Sequence, residues 1–218
     1  EQVDLVVPIS EETLHVAGLR ERLPDSCRLF CMSQADLLAL HDKLSFIQKV
    51  EAIGLPAPKT LAFDNPEAVA FAETEAYIVK PQLSSAGHGL AIQQAGDPLP
   101  PVDSPSIVQA YLPGEELSSF SIAHDGRVIG TVIYRGLIIS GSVAVCFEVL
   151  PAPDPAILDW IERFVAAVNF SGSIAFDFRR DADGQALPIE CNPRTTSGIH
   201  FVNPDDLALA VTNPEADN

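Results

Sequence analysis

Three stretches of this sequence carry residue types that could do chemistry together. Phe176-Asp-Phe178 and Ile189-Glu-Cys-Asn-Pro-Arg194 flank Asp183-Gly184, a pair that signals a hairpin turn between alternating strands. Side chains alternate across a strand, so Glu190 and Asn192 share one face while Ile189 and Cys191 share the other. A two-residue turn at Asp183-Gly184 sets Ala182 opposite Gln185, Asp177 opposite Glu190 and Phe178 opposite Ile189. The apolar sides match in that register, which supports it. Two carboxylates facing each other across a strand pair repel. A hard cation would relieve the repulsion, and Asp, Glu and Asn oxygens are those Mg²⁺ accepts. Removing one of the charges is then expected to leave the metal-free fold no less stable. Arg194, just past the asparagine, can add positive charge where a phosphoryl group would sit. Two solvated acids on an exposed face are the plainer alternative.

The second stretch is Lys80 with the loop behind it, Pro81-Gln-Leu-Ser-Ser-Ala-Gly-His-Gly89. Glycines let backbone N–H groups approach phosphate oxygens, serines add donors, and the lysine supplies the counter-charge. Alone, such a loop more often marks a simple turn, and His88 within it reads as a solvent-facing residue. No GxxxxGK[ST] occurs, which excludes a P-loop. The third stretch, Gln109-Ala-Tyr-Leu-Pro-Gly-Glu-Glu116, reads as a strand leaving its sheet at Pro113-Gly114. Backbone groups in such a hinge can read an adenine edge, and a carboxylate beyond it can accept a ribose hydroxyl. An acidic turn facing solvent fits the same residues. Thr195, Thr196, Ser197 and His200 could line an acceptor pocket, although a hydroxyl-rich turn is the commoner meaning of that text.

The elements that must position these residues follow from periodicity. Apolar runs at Asp4 to Ile9 and Arg28 to Met32 read as short strands, with a helical pattern over Glu11 to Leu23 between them and a Ser33-capped helix to about Leu40. Lys43 to Ile53 forms an amphipathic helix closed by Gly54, and Pro66 to Glu73 another. Strands follow at 76–80, 90–93, 107–110, 117–123 and 127–134, with Asp125-Gly126 as a hairpin turn. A helix capped by Asp154-Pro155 carries the apolar stripe Ile157, Leu158, Ile161, Phe164, Val165 and Val168. The chain has 218 residues, 47% hydrophobic and 20% charged, enough for a real core. A net charge of −17 argues against nucleic-acid and anionic-membrane surfaces, which need a basic patch. No apolar run approaches the ~20 residues of a membrane span, and nothing at the start of the sequence leads us to expect a signal peptide. Cys27, Cys31, Cys146 and Cys191 lack paired metal-site spacing and read as reduced, buried thiols, which suits a cytoplasmic protein. The first residue is Glu1 and the only methionine is Met32, so a longer translated protein is expected.

Lys43, the Ile78-Val-Lys-Pro81 lysine, the Ser/Gly loop, Gly114-Glu-Glu116, Phe176-Asp-Phe178 and Ile189-Glu-Cys-Asn-Pro-Arg194 stand in the order seen in the ATP-grasp superfamily. The chain resembles its carbamoyl-phosphate-synthase-like branch over roughly residues 42 to 202. The resemblance implies an α/β (α+β) fold of two lobes at residues 42–218, the nucleotide-covering lobe at about 75–112 and the metal-binding lobe at about 113–202. Residues 1–41 would be the C-terminal part of a partial Rossmann-like, pre-ATP-grasp domain. By position, Lys43 and Lys80 would contact ATP phosphates, and Ser84, Ser85, Gly87 and Gly89 would cover them. Gln109, Ala110, Tyr111 and Leu112 would meet the adenine and Glu116 the ribose. Asp177, Glu190 and Asn192 would hold Mg²⁺ or Mn²⁺, and Arg194 and Lys80 would serve catalysis. The implied reaction activates a small-molecule carboxylate as an acyl phosphate, which an amine or other nucleophile attacks. A nucleotide-binding module without ligase turnover is the rival reading.

Overall fold

The computed structural model describes residues 3–84, 91–140 and 143–212. At the front, β1 (Leu5–Val6) and β2 (Arg28–Leu29) form a parallel pair, with no further strand among the described residues before 42. Between them runs a 3₁₀ turn, Ser10–Glu12, then α1 (Thr13–Ala17) and a second 3₁₀ turn, Arg20–Arg22. The single helix expected over 11–23 is broken at Gly18, which caps α1; glycine in a helix costs ~1 kcal/mol relative to alanine. Ser10 adopts a left-handed φ of +68°, and Glu12 Oε1 fixes this entry by accepting from the Ile9 N–H at 2.8 Å. Ser33 caps α2 (Gln34–His41), as expected. Asp42 caps α3 (Lys43–Ile53), its Oδ1 accepting from the Ser45 N–H at 2.8 Å, and Gly54 ends it at φ +77°.

Strands β3 (Thr60–Ala62), β4 (Tyr77–Pro81), β5 (Ala91–Gln93) and β6 (Ser106–Ala110) make an antiparallel sheet in the order β3-β6-β4-β5. Helix α4 (Glu67–Thr74) covers it, packing Ala68, Phe71 and Ala72 against Tyr77, Val79 and Val108. Strand β3 was not expected: three residues behind two prolines are too few to show alternation. A second antiparallel sheet holds β7 (Glu116–His124), β8 (Arg127–Ser140), β9 (Val143–Val149), β10 (Gly172–Arg180) and β11 (Ala186–Asn192), ordered β11-β10-β7-β8-β9. Helix α5 (Pro155–Ala167), capped by Asp154, supports it; the 3₁₀ turn Ser197–Phe201 and α6 (Pro204–Thr212) follow β11.

The larger sheet is pinned by aromatic packing. Phe176 and Phe178 of β10 meet Trp160 of α5 edge to face, with ring centroids 5.1 and 5.3 Å away, and Trp160 stacks on Phe164 at 5.2 Å. Phe46 of α3 joins the same cluster, stacked 6.1 Å from Phe176 and edge-on to Phe164 at 5.7 Å. Because β10 alternates, anchoring Phe176 and Phe178 in this core turns Ala175, Asp177 and Arg179 to the opposite face.

Asp125-Gly126 forms the expected two-residue turn, with His124 opposite Arg127 and φ values of +47° and +76°. The Asp183-Gly184 turn is different. The Asp181 N–H donates to the Gln185 carbonyl at 2.9 Å, so three residues form the loop, with Gly184 at φ +84°. That displaces the pairing by one residue, leaving Phe178 opposite Pro188 rather than Ile189. A bulge at Ile189 then restores the register, and Asp177 stands opposite Glu190 as expected.

Candidate active site

The two sheets and the front segment enclose a cavity of about 860 Å³. Its floor is the outer face of the larger sheet. One row crosses it from strand to strand: Glu190 on β11, Asp177 on β10, Ser118 on β7 and Tyr134 on β8, each the register partner of the next. Ser118 Oγ donates to Asp177 Oδ1 at 2.7 Å. Burial, then the Glu190 charge facing it, push the Asp177 carboxyl up to about 7, against the pull of the Ser118 hydrogen bond.

Two buried lysines converge on this row from different elements. Lys43, 2% exposed, opens α3, and Lys80, 5% exposed, lies on β4. Lys43 Nζ stands 3.4 Å from Glu190 Oε1 and donates to the Ser84 carbonyl and hydroxyl at 2.9 and 3.2 Å. Lys80 Nζ donates to the Ile189 carbonyl at 2.8 Å. The acceptor is therefore the bulged residue, whose carbonyl has left the ladder. Burial lowers Lys80 to about 8, the nearby Glu190 carboxylate partly offsetting it. Cys191, next to Glu190, turns into the core, where burial raises its thiol well above the ordinary range; it is a packing residue.

Arg194 lines the cavity and is held by three acceptors: Glu11 Oε1 at 2.8 Å, Asn192 Oδ1 at 3.2 Å and the Thr195 carbonyl at 3.3 Å. Its Nε is buried without a partner. Among the described residues no group of three or more His, Cys, Asp or Glu gathers as a metal cluster. The expected set is two carboxylates and an amide, which suits Mg²⁺ held partly by substrate phosphates. Asn192 at present offers Asp177 its Nδ2, at 3.1 Å, so its oxygen reaches a shared cation only if the amide turns over. His41 ends α2 nearby; burial, then the Lys43 charge, hold its imidazole below the usual range.

At the hinge end, Gln109, Ala110, Leu112 and Glu116 line the cavity. The Gln109 side chain donates to Thr60 Oγ1 at 2.9 Å, and the Ala110 and Tyr111 N–H groups go to the Lys59 and Ala76 carbonyls. Those two backbone donors cannot read a base. Tyr111 turns its ring to Arg179, whose guanidinium carbon lies 5.4 Å from the ring centre. Arg179 also donates to the Gly114 carbonyl at 3.1 Å and stands 3.8 Å from Glu116. Thr195, Thr196, Ser197 and His200 all reach the cavity wall. Ser85, Gly87 and Gly89, with His88, lie outside the described residues. The sequence reading missed Arg179, Ser118, Tyr134 and Glu11. Arg179 had a signal, lying two residues beyond Asp177 on the same face; Glu11 had none, because only tertiary packing brings it to Arg194.

No curated protein matches the chain. Among solved structures, the biotin carboxylase domain of Hydrogenobacter thermophilus 2-oxoglutarate carboxylase, in complex with MgADP, ADP and bicarbonate, superposes with a TM-score of 0.69 at 12% identity, covering 95% of this chain and 53% of that one. A putative ATP-grasp superfamily protein from Archaeoglobus fulgidus gives 0.61 at 18% identity, covering 96% and 62%. The ATP-grasp ligase PsnB, complexed with precursor peptide PsnA2 and AMPPNP, gives 0.61 at 21% identity, covering 90% and 64%. The chain thus spans between about half and two thirds of these structures. No helix among the described residues is long and apolar enough to cross a membrane. A family model described as an ATP-grasp domain matches residues 40–198, and the chain belongs to that family.

Proposed function

We propose that this chain is an ATP- and Mg²⁺-dependent ligase that activates a carboxylate as an acyl phosphate for attack by an amine or another nucleophile. The observation that carries the reading is the convergence of two buried lysines, Lys43 and Lys80, on a facing carboxylate pair, Asp177 and Glu190. Buried ammonium groups beside paired acids are what a polyphosphate with a divalent cation needs, and are hard to explain on a surface. In this reading the four-stranded sheet forms the nucleotide-covering lobe, and the five-stranded sheet carries the metal carboxylates.

Mg²⁺, or Mn²⁺, would be held by Asp177, Glu190 and Asn192 and would neutralise phosphate charge. Lys43 and Lys80 bind the phosphates, with Ser84 placed by Lys43; Ser85, Gly87 and Gly89 would cover them. Gln109, Ala110 and Leu112 border the adenine, Tyr111 being turned to Arg179 instead, and Glu116 accepts a ribose hydroxyl. A carboxylate oxygen attacks the terminal phosphorus, the bond to the ADP oxygen breaks, and an acyl phosphate forms. Arg194 steadies the phosphoryl group during that transfer. The nucleophile then adds to the carbonyl carbon, phosphate leaves, and the incoming amine loses a proton. The protein contributes position and charge, with no nucleophile of its own.

One observation favours nucleotide binding without turnover: Arg194 is already occupied by Glu11. Release of ADP and phosphate on the full chain, screened against acids and amines, separates the two. Release that needs both an acid and an amine supports the ligase; tight ATP binding with no release under any pair supports the module.

A further inference from the structure

Past Arg194 and the metal carboxylates the cavity runs toward β8 and β9 and changes character. Its wall there is Ala175, Tyr134, Ala144, Phe147 and Ile199, joined by Ile9, which is 55% exposed. Tyr134 and Phe147 meet edge to face, with centroids 5.6 Å apart. The Tyr134 hydroxyl is 3.3 Å from Thr196 Oγ1, so its polar tip has a partner and its ring remains as apolar wall. Among the described residues, neither β8 nor β9 sends a charged side chain into the cavity. Arg135 and Glu148, the charged residues beside Tyr134 and Phe147, pair with each other at 2.8 Å instead. Ser10, Thr196 and His200 border this patch, but against the Tyr134, Phe147 and Ile199 surfaces themselves a polar group would leave its hydrogen bonds unmade, whereas an apolar one is removed from water.

Resting on the ligase reading above, we infer that the acid activated here carries an aromatic or comparably bulky apolar group. Its carboxylate lies beside Arg194 and the Thr196 and Ser197 hydroxyls, and its tail lies among Tyr134, Phe147, Ile199 and Ile9. Arg194, which lines the same cavity and is now held by Glu11 at 2.8 Å, supplies the cation that such a head group requires once the ligand carboxylate takes the place of Glu11.

The test is calorimetric titration of the full chain with 3-phenylpropionate and with glutarate, alone and with Mg²⁺ and a non-hydrolysable ATP analogue. The phenyl acid should bind at least tenfold tighter. Phe147→Ser should erase that preference, while Phe147→Leu, which keeps the wall apolar, should retain most of it. Equal or tighter binding of glutarate, or an undiminished preference in Phe147→Ser, would overturn the inference. Failure of the ATP analogue to bind would instead bring down the nucleotide reading, while the ratio measured without nucleotide still decides this one.

Discussion

Replacing Lys80 by methionine keeps an unbranched side chain one atom shorter and removes its charge and its donor. Burial lowers this lysine from 10.5 to about 8, so holding it charged at neutral pH costs the folded state about 3 kcal/mol. The sign follows from proton counts. Between pH 8 and 10.5 the unfolded chain binds more protons than the folded one, so stability rises with pH there, and the penalty is fully present below pH 8. Methionine removes that penalty. It also orphans the Ile189 carbonyl, now accepting at 2.8 Å, a loss of about 1–3 kcal/mol. The two nearly cancel, leaving a net change within about 2 kcal/mol and a melting temperature within about 6 °C of the parent. Nucleotide binding has no such compensation. An ammonium about 4 Å from a phosphate contributes roughly 4 kcal/mol at an effective dielectric of ~20. Even after desolvation is discounted, ATP affinity should fall at least about tenfold, or ~1.4 kcal/mol. Adenosine, lacking phosphates, should bind within about twofold of the parent. Titration calorimetry with both ligands and thermal melts at pH 7 and pH 10 give all the readouts. Equal loss for ATP and adenosine, or a melting temperature lower by more than about 10 °C, would refute the reasoning and make Lys80 a structural tether for the bulge.

Glu190→Gln should abolish saturable Mn²⁺ binding in the presence of an ATP analogue. It should also lower the stability of the metal-free protein by about 2 kcal/mol. The sequence alone argued for no loss, but the buried Lys43 ammonium, 3.4 Å away, is left without its carboxylate. Mn²⁺ affinity of the parent should fall about tenfold per pH unit below about 7, because a proton on Asp177 competes with the metal. Metal-free stability should move the other way, declining as pH rises from the unfolded carboxylate range of ~3.9 toward about 7, since the folded protein holds a proton there that the unfolded chain releases. Gly198→Ala would set a Cβ 2.3 Å from Phe120 Cβ and 2.7 Å from a Tyr134 ring carbon. A denaturant melt should show a loss of about 3 kcal/mol, with the 3₁₀ turn displaced from β7 and β8.

The opposition of Asp177 and Glu190 could be read from the sequence because strand alternation and hairpin turns are local. Even so, the two-residue turn expected there does not form: the three-residue loop at Asp183-Gly184 displaces the strands, and the Ile189 bulge brings the pair back into register. Helix α3 and its closing glycine were equally legible, since the apolar period and Gly54 act within a few residues, whereas the Asp42 cap was not read. The order of Lys43, Lys80, the hinge acids and the Glu-Cys-Asn-Pro-Arg segment pointed to the family through resemblance, which the match over residues 40–198 bears out.

Other features have no local cause. The bulge carbonyl that receives Lys80, the Glu11 carboxylate on Arg194 and the Arg179 guanidinium against Tyr111 each join elements distant in the chain. So does the apolar wall of Ile9, Tyr134, Phe147 and Ile199. Sequence by itself determined the strand faces, the caps and the residue types available for chemistry, because those depend on backbone geometry and spacing. Which charges pair, which are left short of a partner and what the far end of the cavity is made of were decided only when the two sheets and the front segment packed around the aromatic core. Burial and distance set those energies, and neither exists until the chain is folded.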